Sequence, residues 1–467
     1  ECITNRDRMF DCPQNLREEE MFEVPEWAAN KVVYQIFPSR FAATEPVDKE
    51  LWYKAPITPM DDLHGNLRGI IEHMDDIQNL GIDVLYMTPI FQSNSCHKYD
   101  TTDYYQIDPS FGTTEDLKEL VQKAHERGMK VVLDAVYNHT GREFFAFADI
   151  LENGEKSKYR DWYFIDGFPL KSEWGEIPNF KCFGYYGGMP KLNLKNPEVE
   201  KYITDVACYW IKECDIDGWR LDVGDEISHF FWKNFRKAVK AVKKDMLIIG
   251  EIWHYAGDFL EGDEWDTVMN YPFYLNLIDL LADEKINVSQ FIQNLGYLKG
   301  RLNKKGYPLM WNLIDSHDTA RFLHLCKDNK KKQHLAAAFQ LLLPGMPMIY
   351  YGDEFAMPGA NDPDCRRGMY WDEEYQDKEM FEWYKQLLKV RKNHACIVEG
   401  EPLEIAARDG EETIVLTRKN DEETLALIFN CSSSARMFNE YAQKYDLLRE
   451  NPFDGKIEGL DAAVIVL

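Results

Sequence analysis

Short apolar or β-branched runs alternate with amphipathic helical patterns along most of this chain, and that alternation constrains the fold more than any other feature. The runs Lys31–Phe37, Val84–Met87, Lys130–Ala135, Gly218–Asp222, Leu247–Glu251, Thr267–Met269, Met310–Ile314 and Met348–Tyr350 predict strands. Helical periodicity falls at Leu67–Leu80, Thr114–Arg127, Asn196–Cys214, Ser228–Lys243, Val288–Arg301 and Lys331–Leu343, with Lys378–Asn393 after the last strand. Thr113-Thr114-Glu115-Asp116 and Asn196-Pro197-Glu198 carry the side-chain acceptors, acidic first turn and early proline of helix starts. Val131-Val132-Leu133 is continuously apolar, as a strand covered on both faces requires. Repeated β-then-α units of this kind predict an α/β fold, a (β/α)₈ TIM barrel.

Two stretches interrupt the pattern. Residues 140–195, after the third strand, are rich in Gly, Pro and aromatics and predict an excursion domain inserted in the barrel. From residue 397 to 467 short alternating strands take over, at Thr413–Leu416, Thr424–Phe429 and Ala463–Val466, which predicts a small all-β domain. Residues 1–23 read as an N-terminal extension or linker, and 24–396 as the barrel. The longest charge-free run, Leu335 to Gly352, is divided by Pro344, Gly345 and Pro347, so it predicts a helix end and a strand start rather than a membrane span. Glu1-Cys2-Ile3-Thr4-Asn5-Arg6 has no apolar leader pattern. Ten cysteines without a C-x-x-C suggest free thiols in a reducing cytoplasm, and the histidines form no H-E-x-x-H zinc pattern. The net charge of −26 repels phosphate backbones and anionic lipid, which argues against nucleic acid or membrane as partner.

In a closed parallel barrel the C-terminal strand ends converge on one mouth. Those ends carry Tyr99 after the second strand, and Asp134 with Asn138 and His139 at the third. Arg220 and Asp222 end the fourth, Glu251 with Trp253 and His254 the fifth, and His317 and Asp318 the seventh. Three carboxylates beside an arginine suit glycosidic bond cleavage. One attacks or stabilises an oxocarbenium-like centre, and another, its pKa raised by burial and a like charge, protonates the leaving oxygen. Arg220, two residues before Asp222, faces the same side and is expected to hold Asp222 ionised. Asp134, Asn138 and His139 are candidate ligands for calcium or, alternatively, loop anchors. Trp162, Trp174, Phe183, Tyr185 and Tyr186 crowd the excursion, where sugar faces could stack on them, although core packing is the commoner use of such rings.

At these strand ends the chain resembles the α-amylase family, glycoside hydrolase family 13. Asp134-Ala-Val-Tyr-Asn-His139, Gly218-Trp-Arg-Leu-Asp222-Val-Gly-Asp-Glu226, Glu251-Ile-Trp-His254 and Asp315-Ser-His-Asp318 are similar to its four conserved regions, in order. Met189-Pro190-Lys191-Leu192-Asn193, His97-Lys-Tyr99-Asp and Asn361-Asp-Pro-Asp-Cys-Arg-Arg367 resemble its cyclomaltodextrinase, neopullulanase and maltogenic amylase subgroup. The resemblance implies Asp222 as nucleophile, Glu251 as general acid/base and Asp318 as transition-state stabiliser. Tyr99 would stack under the sugar being cleaved. His97, His139, Arg220, His317, Asp362 and Arg366 would line that subsite, with Trp253 and Glu226 on the leaving side.

The implied protein is a cytoplasmic retaining hydrolase of cyclodextrins and maltooligosaccharides, requiring no cofactor. Alternatives are an oligo-1,6-glucosidase type, a glucanotransferase, or a catalytically silent barrel serving as a binding or transporter-associated subunit. Two departures from the subgroup shape expectations. Ala43-Thr44-Glu45 stands where its calcium loop usually reads Asn-Gly-Asp. Too few residues precede Val32 for its N-terminal β domain, so a monomer with an open cleft is expected, a homodimer being the alternative.

Overall fold

The computed structural model describes residues 23–171, 177–302 and 305–467. Eight parallel strands form the barrel wall: β1 (Val33–Ile36), β2 (Val84–Met87), β3 (Lys130–Ala135), β4 (Gly218–Leu221), β5 (Leu247–Gly250), β6 (Thr267–Val268), β7 (Trp311–Asn312) and β8 (Met346–Tyr350). Their order is β6-β5-β4-β3-β2-β1-β8-β7, and a parallel bridge between Met269 and Trp311 closes β6 onto β7. The barrel is thus complete.

Side chains alternate across each strand, which sorts the apolar residues into two cores. Val33, Val84, Tyr86, Val132, Leu247, Ile249, Met269, Trp311 and Met348 fill the barrel interior. Tyr34, Ile36, Leu85, Met87, Val131, Leu133, Trp219 and Ile248 face outward against the helices. The same alternation continues the inward set upward to Gln35, Asp134, Arg220, Asp222 and Glu251. Register fixes their heights: Asp134 pairs with Arg220, and Gln35 with Tyr86.

The predicted helices are present, one of them divided, and the helical run Tyr271–Leu277 continuing through Ile278–Ala282 adds to them. Leu67–Leu80 is two helices, Leu67–Glu72 and Met74–Leu80, broken at His73. The His73 ring lies flat on Trp371, with centroids 3.6 Å apart, and its Nδ1 is 2.8 Å from Asp76.

The excursion contains a helix, Phe145–Asn153, and is stitched by isolated bridges, among them His139 to Lys191 and Tyr163 to Leu192. Trp162 is no sugar platform. It is 6% exposed, packs against Phe145, Tyr159 and Tyr202, and donates its indole N–H to Glu198. Trp174, Cys2, Cys12 and nearly all of the predicted 1–23 extension lie outside the described residues.

An antiparallel sheet closes the chain. It comprises β9 (Glu401–Arg408), β10 (Thr413–Lys419), β11 (Thr424–Asn430) and β12 (Asp461–Val466), with two short strands at Tyr445–Asp446 and Asn451–Pro452. The eight described cysteines are free thiols. Among the described residues no helix is long and apolar enough to cross a membrane.

Candidate active site

Arg220 organises the mouth. Its guanidinium, fully buried, forms ion pairs with Asp134 (3.0 Å), Asp222 (2.9 Å) and Glu251 (2.8 Å). One cation therefore serves three carboxylates. Arg220 acts toward keeping Asp222 ionised, against burial, which pushes the Asp222 carboxyl up, and against the charges of Glu251, Asp134 and Asp318, which raise it further. Burial likewise raises Glu251, against Arg220, and lifts Asp134 to about 6.

The two central carboxylates are held differently. Asp222 Oδ1 accepts from Arg220, while Oδ2 has no hydrogen-bond partner. Both oxygens of Glu251 are engaged: the backbone N–H of Val223 donates to Oε2 (2.9 Å), and the indole N–H of Trp253 to Oε1 (3.1 Å). Val223 has φ +46°, a left-handed conformation that a β-branched residue rarely adopts. The turn from β4 into Gly224–Glu226 thus stores strain where it delivers that N–H to Glu251. Trp253 is stacked on Tyr271, with centroids 3.9 Å apart, and is 42% exposed.

A second network fixes the floor. Gln35 Nε2 donates to His317 Nδ1 (2.7 Å), which leaves the proton on Nε2, facing the Tyr99 hydroxyl and Asp318 (3.2 Å). Burial first, then Arg366 and Arg220, drives the His317 pKa well down, so the ring is neutral. Tyr99 lies parallel to His317 and donates to Asp134 Oδ2 (3.0 Å), which also accepts from Tyr86 (2.7 Å). His97 accepts the Tyr99 N–H (3.1 Å), and burial lowers its pKa. His139 donates from Nε2 to the Tyr99 carbonyl (3.0 Å) and is lowered to about 4 by burial.

Arg366 donates to the His317 carbonyl (2.9 Å) and pairs with Asp362 (2.8 Å) and Asp318 (3.4 Å). Asp318 remains partly open to the cleft. Glu226 is held by Lys191 (2.7 Å) and Asn138 (3.2 Å), which ties β4 to the excursion. Phe183 stacks on His139 at the cleft wall, whereas Tyr185 points into solvent.

The structure thus brings together Asp222, Glu251, Asp318, His97, Tyr99, His139, Arg220, His317, Asp362 and Arg366, with Trp253 and Glu226 at the edge. Asp134, Asn138 and His139, the candidate calcium ligands, are engaged mainly with protein groups. The Asp134 oxygens are taken by Arg220, Tyr86 and Tyr99, and His139 presents an N–H to a carbonyl. Asn138 Oδ1 alone of their oxygens is left without a partner, where calcium takes roughly six to eight. Among the described residues no group of three His, Cys, Asp or Glu side chains is arranged to hold a metal.

Sequence reasoning missed Gln35, Tyr86, Tyr271 and the Val223 N–H. For Gln35 a signal existed, a lone amide inside the apolar run Val33-Tyr34-Gln35-Ile36.

A parallel barrel with a buried carboxylate pair under a shared guanidinium defines an enzyme of the glycoside hydrolase class. The Alpha amylase, catalytic domain family matches residues 35–376, and the chain belongs to that family. It is 46% identical over 430 residues to a cyclomaltodextrinase of Geobacillus thermopakistaniensis, covering 91% of this chain and 73% of that one. Against an intracellular maltogenic amylase of Bacillus subtilis the identity is 41% over 420 residues, covering 89% and 71%. Among solved structures, the cyclic α-maltosyl-(1→6)-maltose hydrolase of Arthrobacter globiformis, in complex with its cyclic substrate, superposes with a TM-score of 0.87 at 35% identity, covering 95% of this chain and 100% of that one.

Proposed function

We propose that this enzyme is a retaining α-glucan hydrolase acting on the α-1,4 bonds of cyclodextrins and short maltooligosaccharides, with α-1,6 cleavage and transglycosylation at the same centre. The observation that carries the reading is the asymmetry of the carboxylate pair. Asp222 keeps one oxygen anchored to Arg220 and the other unpartnered, as a nucleophile needs, while both oxygens of Glu251 are held, by the Val223 N–H and the Trp253 indole. Glu251 protonates the glycosidic oxygen as Asp222 attacks the anomeric carbon, breaking the C–O bond and forming a glycosyl ester. Glu251, now ionised, takes a proton from water, which displaces Asp222 and frees the sugar. Asp318 and Arg366 grip hydroxyls of the reacting ring, and Tyr99, braced by His317, lies beneath it. His97, His139 and Asp362 border the same subsite, with Trp253 and Glu226 beyond the cleaved bond.

Asp222→Asn, Glu251→Gln and Asp318→Asn should each cut turnover on maltooligosaccharides by about 10³-fold or more, roughly 4 kcal/mol of transition-state stabilisation. Proton NMR of the first-formed product should show the α anomer. A near-wild-type Glu251→Gln enzyme, or an initial β anomer, sinks the mechanism.

The chemistry uses only side chains of the protein, and the enzyme works in the cytoplasm as single copies, which a net charge of −26 supports through mutual repulsion. Dialysis against EDTA should leave the rate unchanged, and light scattering should give a mass near 54.7 kDa. Loss of activity on chelation, or a doubled mass, would overturn the respective point.

A further inference from the structure

Trp253 opens the leaving side of the cleft, and a second aromatic cluster continues from it. Tyr255, two residues on, projects from the same loop, its Cα within about 7 Å of that of Trp253. Between the two, His254 is drawn away to Asp225, with Nε2 3.1 Å from the carboxylate.

The Tyr255 hydroxyl donates to the carbonyl of Arg301 (2.9 Å), the last residue of the helix Val288–Arg301. The Arg301 guanidinium lies over two rings, 4.4 Å from the Tyr255 centroid and 5.0 Å from that of Tyr297. Tyr297 and Arg301, four residues apart, share a helix face, and Arg301 Nη1 donates to the Tyr297 hydroxyl. Each member of the cluster fixes another. Yet Tyr297 is 64% exposed, among the most open large rings of the described residues.

A large ring that is both ordered and exposed is unusual, because ordering costs side-chain entropy and exposure returns no burial. Here the cation on one side sets the rings and leaves an aromatic face to solvent. Such a face suits the C–H face of a glucosyl ring, and the guanidinium supplies donors to its hydroxyls. Through Tyr255 the cluster adjoins the loop that carries Trp253, whose indole donates to Glu251, so the occupant it implies is the reducing-side arm of a glucan in the cleft.

We propose that Tyr255, Arg301 and Tyr297 form a distal glucosyl subsite on the leaving-group side, binding a sugar beyond the one that Trp253 faces. This rests on Glu251 as the proton donor, which defines that side. The subsite favours longer linear chains as substrates and as acceptors in transfer.

The test is the chain-length dependence of kcat/KM, read as the ratio for maltoheptaose over maltotriose. Tyr297→Ala should lower that ratio about tenfold relative to wild type, and Tyr297→Phe, which keeps the ring, should retain most of it. Arg301→Gln, which frees both rings, should lower it as well. If the cluster only clamps the helix to the loop, Tyr297→Ala lowers the melting temperature with the ratio unchanged, and the subsite is refuted. A wild-type enzyme that hydrolyses neither oligomer refutes the hydrolase reading itself.

Discussion

Asp222, Glu251 and Asp134 meet around one guanidinium, and positive charge is short there. Three buried carboxylates cannot all ionise beside a single cation, so a proton stays in the cluster. Glu251 is raised by burial, while the donors from Val223 and Trp253 favour its ionised form. Replacing Trp253 by Phe keeps a ring against Tyr271 and removes one of those donors. The ionised form is then less favoured, the pKa rises, and the alkaline limb of the kcat profile should move up by about one pH unit. A limb that stays put or moves down would mean that Glu251 is not the acid whose ionisation ends activity. The sequence showed which polar residues end the strands. It could not show that three of them share Arg220, because that depends on the register between β3, β4 and β5.

The elements were legible where period and length agree. Val84–Met87, Lys130–Ala135, Val288–Arg301 and Lys378–Asn393 have the observed bounds, since continuous apolar runs and capped amphipathic stretches leave few alternatives. The strand β9 carried no such signal. It is exposed along nearly its whole length, with Glu401, Pro402 and Glu404 on a sheet edge that must discourage further pairing. Tyr86 was hidden for the opposite reason: inside an apolar strand, a tyrosine reads as core until its hydroxyl is seen on Asp134. Asp217, just ahead of β4, joins several elements at the far end of the barrel. It accepts from the Val131 N–H (3.0 Å), Lys130 (3.0 Å), Lys243 (2.9 Å) and His125 (2.7 Å). Burial works against its charge, but these partners hold its pKa down to about 2. A depressed carboxylate stabilises the fold above its unfolded value, near 4, and that contribution disappears as pH falls toward 2. Asp217→Asn should therefore lower the urea midpoint at pH 7, with the two proteins converging under acid. A gap that is constant with pH would show that the charge of Asp217 plays no part.

Across the whole molecule the wall is uneven. Strands β6 and β7 are two residues each, and between them the register is one bridge, from Met269 to Trp311. Further hydrogen bonds reinforce the join: the Asn270 backbone N–H donates to the Trp311 carbonyl (2.8 Å), Asn270 Nδ2 to Asn312 Oδ1 (2.8 Å), and Asn312 Nδ2 to the Pro344 carbonyl (2.9 Å). A ring that closes through one short seam opens into a strip before its helices melt. The Asn270 amide should accordingly exchange with deuterium well ahead of those of Val131 to Leu133, and Asn312→Ala should widen the difference. Uniform protection around the ring would contradict this. The loop bearing Trp253 leads into β6, so whatever frees the seam also releases the indole that donates to Glu251. Warming should then silence the enzyme while circular dichroism still reports an intact helical shell, with heat inactivation preceding global unfolding by several degrees.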